Sequence, residues 1–502
     1  MLTIERHKAI TGVLNCADRV IFHGHLFQLA APKGPIGLAL GLGLLVRQLV
    51  SLLTDWRNLL CRHAEQVARR SGRPVLRLNS TQRKEDEVKK VLQRSPIGHG
   101  LACVLIAQES FWSFRFPGQK GRPGVVRARR YGTCLYYYFV DRRFGLMHVR
   151  VNSFLPYTVQ VYVNGHEWLA RELRRARIRF TKDDNAFTSI RQLARAQQIA
   201  DRFTHLHWIE ILDAYARCAN PLLRGPLKGM RYHWSVDQFE YATDCLFRST
   251  QDLQPLWERL RVGAMLMLSG DNIMSFFGRS PNQSLFEVVG DAHRRYQGFR
   301  VKHTLGRNWI KAYDKAGSVL RIETTINNPQ AFKTYRKDKK QWRHLRKGVI
   351  DFPRLEEIAR HANARYLEAL ATIDPPADSG RNLLRLQRPV TVRGRRHAGL
   401  QPLDDDTNRL FAALTDGRVH LRGLTNAQVR QVLYGRPARD PKEERRRAAR
   451  LTRQLAKLRA HGLVIKIPGT HRWAPTAKGQ ALMGQAIALR NSLWPRNLSS
   501  AA

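Results

Sequence analysis

Three acids at helical spacing are the first residues that could do chemistry. Asp237, Glu240 and Asp244 stand at i, i+3 and i+7. The run Asp237 to Phe247 reads as a helix, which puts all three on one face. Like charges gathered there repel one another unless a cation or arginines sit opposite. Acid-held Mg²⁺ is a common means of cutting phosphodiesters, so Asp237, Glu240 and Asp244 form a candidate metal site with Mg²⁺ as its cofactor. Glu323 and Asp314 are candidates to complete it if the fold brings them near. The plainer reading is a surface helix paired with the chain's many arginines.

A second route to the same chemistry needs two histidines on a strand around an apolar residue, with a tyrosine to attack the phosphate. His205-Leu206-His207 fits that string. However, Leu206, Ile209, Ile211, Leu212 and Tyr215 follow a helical period, which would splay the imidazoles. His23-Gly24-His25 is a poorer match, with glycine at the centre. No P-loop, dinucleotide fingerprint or nucleophile-elbow serine is present. The six cysteines lie far apart with no C-x-x-C pair, which argues against a zinc ribbon or a disulfide scaffold.

Charge points to the partner. The chain has 502 residues, with 86 Lys and Arg against 40 Asp and Glu, a net +46. Such self-repulsion calls for an acidic partner, and phosphate backbones fit best because neutralising them releases counterions. DNA is the expected partner, with RNA as an alternative. Pro35 to Leu53 is the only membrane candidate. It is interrupted by Arg47 and Gln48, and it reads as a buried helix in a cytoplasmic protein.

The elements that must position these residues read as an α+β chain. Residues 1–98 look mainly helical. Residues 99–372 look like a central mixed α/β body with antiparallel sheets. Cys134 to Val140, Leu146 to Val151, Gly298 to His303, Trp309 to Tyr313 and Val319 to Ile326 are its clearest strands. Asp314 to Gly317 makes a tight turn. Gly118 to Arg130 reads as a basic loop, with Arg127, Arg129 and Arg130 as phosphate contacts. Lys333 to Lys340 is a second basic run. Tyr136, Tyr137 and Tyr138 are candidates for base stacking at alternate positions. Residues 373–403 read as a linker.

Residues 404–494 carry the most specific pattern. Three helices, Asn408 to Leu414, Asn426 to Leu433 and about Lys442 to His461, precede an alternating pair of strands around Pro468-Gly469, and a final helix starts at Thr476. This is the order of a winged helix. The third helix has Ala448, Leu451, Leu455 and Leu458 at core spacing. Arg446, Arg450, Arg453 and Lys457 lie away from that seam, and Arg472 sits on the wing; all are candidate DNA contacts. The segment holds 18 Lys and Arg against 7 Asp and Glu.

The string Ala460-His461-Gly462-Leu463-Val464, followed by the wing and Thr476-Ala477-Lys478-Gly479, resembles winged-helix regulators of the multiple-antibiotic-resistance type. Three longer phrases, "FGLMHVRVNSFLPYTVQVYVNGHEWLAREL", "YHWSVDQFEYATDCLFRS" and "RVKHTLGRNWIKAYDKAGSVLRIETTINN", resemble a widespread uncharacterised bacterial family with a C-terminal winged helix. Tyr313-Asp314-Lys315 and Leu320-Arg321-Ile322-Glu323 resemble a hairpin of plasmid and phage replication initiators. That resemblance implies acidic residues on a sheet holding a metal near a tyrosine nucleophile, with Tyr313 and Glu323 in those roles. The expectation is a mobile-element protein that binds DNA through its winged helix and processes it with its central body. The alternative is a non-catalytic regulator or RNA scaffold.

Overall fold

Along Ile10–Leu26 (β1), buried and exposed residues alternate toward the C-terminal end: Val20, Phe22 and Leu26 are buried, while Ile21, His23 and His25 are half-exposed. This two-residue period is the mark of a strand with one covered face. The computed structural model describes residues 9–119, 122–267, 276–277, 288–295, 298–336, 340–373, 383, 385–392, 394–415 and 423–493. In it β1 is the middle strand of an 11-stranded sheet.

The other strands are Val75–Arg77 (β2), Gly100–Arg115 (β3), Val126–Asp141 (β4), Gly145–Asn152 (β5), Val159–Asn164 (β6), Tyr232–Phe247 (β7), Val288–Arg295 (β8), Gly298–Leu305 (β9), Asn308–Lys315 (β10) and Val319–Ile326 (β11). Their order across the sheet is β8-β9-β10-β11-β7-β1-β6-β5-β4-β3-β2. Every pair is antiparallel except β2 with β3. Ala316 and Gly317, with φ of 56° and 73°, make the turn between β10 and β11, a positive-φ pair of the kind that suits hairpin twist.

One face of the sheet is covered by helices. They include Val46–Arg70 (α1), Gly165–Arg175 (α2), Trp208–Ala219 (α3) and Phe352–Ile373 (α4). Aromatic rings join this layer: Phe22 lies 4.6 Å from Trp208 and 5.5 Å from Phe352, and Phe239 lies 5.0 Å from Phe352. Asn164 caps α2 by accepting from the Glu167 amide at 3.0 Å, as its sequence position implies.

A second core gathers Phe411, Leu451, Leu455, Leu458 and Met483 together with Leu383, Leu386 and Leu400, so the stretch expected to be a linker supplies core residues and a short hairpin, Val390–Val392 with Arg395–His397. Helices Asp405–Thr415, Asn426–Tyr434 and Pro441–Ala460 are followed by strands Val464–Lys466 and Arg472–Pro475 and helix Ala477–Leu493. Thr425 caps the second helix and Asp440 the third.

Several expectations are corrected. Asp237–Phe247 is strand, part of β7, and not a helix. Its run of Tyr, Thr, Cys, Leu and Phe suits a pleated surface, and pairing on both sides outweighs the helical spacing of its acids. The N-terminal region is not mainly helical where β1 lies. The β1 period is broken by Gly12, Gly24 and a polar pair at Asp18-Arg19, which hide it from a pattern search. Arg127, Arg129 and Arg130 belong to β4 instead of a loop. Pro35 to Leu53 is divided between Gly34–Gly41 and α1, with Leu40, Leu42 and Leu45 exposed, so it is not one buried helix. Among the described residues no helix is long and apolar enough to cross a membrane.

Candidate functional site

Opposite the helices, the sheet presents a polar face. Gln160 pairs with His23 on one side and Arg150 on the other, and Arg150 pairs with Tyr136. Tyr162 likewise links Ile21 to His148, and the His148 and Tyr162 rings stack 5.1 Å apart at 4°. Across β1 the face continues through Gln238, Glu240, Glu323, Trp309 and Lys311 to Lys302. Lys302 lies 4.3 Å above the Trp309 ring. Directly paired residues point to the same side, so the polar face follows from strand register.

Two bulges shape this face. Between Ala17↔Tyr241 and Val20↔Phe239, Asp18 and Arg19 stand opposite the single residue Glu240. Between Ile21↔Gln238 and Phe22↔Val236, Asp237 is the extra residue on β7. A bulge re-aims a side chain, and each of these turns an acid toward a charged cluster.

The first cluster is carboxylate-rich. Asp18, Glu240 and Glu323 are buried, each with a ligand atom within 4.8 Å of the others. Lys311 Nζ lies 2.5 Å from Glu323 and 4.0 Å from Glu240. Arg19 Nε is 3.0 Å from Glu240 Oε2, an ion pair not aligned as a hydrogen bond. Tyr313 donates to Glu323 at 2.7 Å.

Behind them Arg321, fully buried, donates to both Asp244 oxygens at 2.6 and 2.7 Å and to the Asn185 carbonyl at 2.8 Å. It also reaches Asp18 at 3.4 Å. His166 sits between, with Nδ1 3.3 Å from Asp18 and Nε2 3.0 Å from Arg321. Burial and the neighbouring Glu323 push the Glu240 carboxyl up to about 7. Burial alone would raise Asp18 too, but His166 and Arg321 hold it well below the usual carboxylate range. Burial, then Glu323, pushes the Tyr313 phenol well above its ordinary value. The cluster is therefore compensated by its own cations. A divalent ion entering it must displace Lys311 and Arg19.

The second cluster lines a cavity of about 640 Å³. His23 and His25 project into it from alternate positions of β1, their rings 6.3 Å apart. Gly24 between them faces Trp234, whose ring would meet a Cβ at 2.6 Å. The indole fills the place of the missing side chain, so glycine here serves the spacing that an apolar residue would. Arg127, Arg129, Arg150 and Lys347 supply four cations to the wall and Asp237 one carboxylate. Burial, then His23 and His233, lowers His25 to about 4, and burial lowers His23 as well. Both rings are neutral at pH 7 with lone pairs available for a metal or proton. Trp112 at the wall is half exposed, with Arg127 and Arg129 5.4 and 5.9 Å from its ring. Four cations around a few hundred Å³ suit an anionic ligand such as a phosphodiester.

The structure separates the acids expected to act together. Asp237 lines the cavity, Glu240 joins Asp18 and Glu323, and Asp244 is clamped by Arg321. Asp314 accepts from Gln254, away from that cluster. His205 ends a short 3-10 turn and His207 is exposed, so the favoured histidine string does not line the cavity. Arg130 stacks on Phe154 at 3.9 Å, apart from Arg127 and Arg129. Tyr136, Tyr137 and Tyr138 are all buried, so none offers a ring for stacking.

In the C-terminal segment Arg446, Arg450 and Arg453 are exposed and Lys457 half-exposed. Arg450 pairs with Asp406 at 2.6 Å, and Arg472 donates to the Gly423 carbonyl at 3.0 Å. Sequence reasoning missed Asp18, Arg19, His166, Lys311 and Arg321. The one available signal was the charged pair Asp18-Arg19 inside an apolar alternating run.

No family model, no curated protein and no solved structure matches the chain.

Proposed function

We propose that the protein binds nucleic acid, with the polar sheet face receiving a phosphodiester backbone at the His23–His25 cavity. The observation that carries this reading is the cavity itself, whose wall holds Arg127, Arg129 and Lys347, Arg150 paired with Glu109 at 3.1 Å, two neutral imidazoles and the one carboxylate of Asp237. The net +46 of the chain supports the same partner. Residues 404–494 act in this reading as a winged helix that reads DNA, with Arg446 and Arg453 of the third helix toward the duplex. Support for that comes from the element order and from the exposed cations on that helix.

The reading extends to metal-dependent phosphodiester cleavage. His23, His25 and Asp237 share the cavity wall; among the described residues only Asp18, Glu240 and Glu323 already bring three donors within 4.8 Å, so the cavity residues would have to close around a divalent cation for it to polarise the phosphate. The test is cleavage of labelled single-stranded and duplex DNA with Mg²⁺ or Mn²⁺. Loss of cleavage in His23→Ala and His25→Ala with binding retained supports it. Undiminished cleavage in both variants refutes it.

A non-catalytic binder is the second reading, because the acidic cluster is already balanced by Arg19, Lys311 and Arg321. It is supported by tight, salt-steep binding without cleavage under either metal.

A further inference from the structure

A two-stranded ribbon, Lys333–Arg336 paired with Gln341–His344, precedes the cavity-wall residue Lys347 in the chain and plays no part in the site described above. Its base is anchored: Phe332 and Leu345 are buried, and the Leu345 amide donates to the Phe332 carbonyl at 2.8 Å. Two residues further on, Lys347 lines the cavity, and its carbonyl accepts from Val236 of β7 at 2.8 Å. The chain thus runs directly from the ribbon into the cavity wall.

Beyond the base, the ribbon does not behave as a core element. All four residues of Gln341–His344 are exposed. Tyr335 and Trp342 stand directly opposite each other, with ring centroids 5.6 Å apart. They remain 46% and 44% exposed, where aromatic rings of this size would ordinarily be covered. Residues 333–344 include six Lys and Arg and one Asp. Lys333 shares the aromatic face by register, and Arg343 lies on the reverse face.

We propose that this ribbon binds unpaired bases of a nucleic-acid strand, with Tyr335 and Trp342 as the stacking surface and Lys333, on the same face, at a flanking phosphate. The inference rests on the nucleic-acid reading of the cavity and extends it to strand state. Exposed rings beside cations suit single strands because every base offers a π-face and no groove is needed. A duplex keeps its bases stacked on one another and would use only the charges. Two strands of four residues span about 13 Å, enough for a few nucleotides beside those held in the cavity.

The test uses the full chain with labelled single strands and matched duplexes of about 20 nucleotides, across a salt series. Tyr335→Ala/Trp342→Ala is compared with wild type and with Arg127→Ala/Arg129→Ala in the cavity. The aromatic variant is expected to bind the single strand roughly tenfold or more weakly, with its salt slope kept and its duplex affinity little changed. The cavity variant is expected to lose affinity for both, with a shallower slope. An unchanged melting temperature shows that the aromatic variant is folded. Lys333→Ala supplies a second arm, with a slope reduced by about one. Single-strand affinity equal to wild type in the aromatic variant overturns the proposal, as does an equal loss on duplex. Wild-type protein that binds neither form overturns the cavity reading and this one together.

Discussion

Replacing Arg321 with methionine removes the cation that holds the buried acids together. In the wild type its guanidinium makes two charge-assisted hydrogen bonds to Asp244, one to the Asn185 carbonyl and a longer contact to Asp18. Asp244 and Asp18 are 0% and 1% exposed, so neither can turn to water when the arginine is lost. Removing one partner of a buried pair costs about 3–5 kcal/mol, because the remaining charge is left uncompensated. That is a large share of the 5–15 kcal/mol typical of a folded protein. Urea unfolding followed by circular dichroism at pH 7 reads the loss. Arg321→Met/Asp244→Asn is expected to be less destabilised than the sum of the single changes, by about 1–3 kcal/mol, because both members of the pair are then neutral. A loss under about 1 kcal/mol for Arg321→Met would show that the buried network does not hold the strands, and the assignment of Arg321 as its keystone would fall.

Three further outcomes follow from the same geometry. Glu240, with a folded-state pKa of about 7, binds its proton more tightly folded than unfolded. Its contribution therefore favours the folded state at low pH and is lost as pH rises from about 4.5 through 7, by up to about 3 kcal/mol. Glu240→Gln is expected to flatten that slope in a melting-temperature series, and an unchanged slope would remove Glu240 as its source. Gly165→Ala places a Cβ 2.3 Å from the Ala17 carbonyl oxygen beside the Asp18 bulge. A backbone atom there has little room to give, so a loss of about 1–3 kcal/mol is expected in thermal unfolding. Arg130→Ala is expected to leave the salt slope of nucleic-acid binding unchanged, since Arg130 stacks on Phe154 outside the cavity; a reduced slope would place it among the phosphate contacts.

Leu146 to Val151 and Trp309 to Tyr313, which alternate, and Val319 to Ile326, which is buried throughout and rich in β-branched residues, were legible and lie within strands of the structure. So was the helix cap at Asn164, whose chemistry is local. What failed was the placement of acids. Asp237, Glu240 and Asp244 have helical spacing in the sequence, yet they sit on a strand that pairs on both sides, and its bulge sends Asp237 elsewhere. No local pattern announces a bulge, because it is defined by the partner strand. Asp18 and Arg321 are 303 residues apart in sequence, and only the sheet order brings them together. The histidine pair failed for a smaller reason. His23-Gly24-His25 lacks an apolar centre, and the indole of Trp234 that packs there comes from a strand more than 200 residues later.

A cavity that receives a phosphodiester backbone, as proposed, must bind it through Arg127 and Arg129. The most direct measurement is the affinity of wild type and of Arg127→Ala/Arg129→Ala for one DNA oligonucleotide as salt is varied. Binding is expected to weaken steeply with salt in the wild type, with a slope smaller by about two in the variant. Wild-type binding that is insensitive to salt, or a variant indistinguishable from it, would rule out the cavity as the phosphate site.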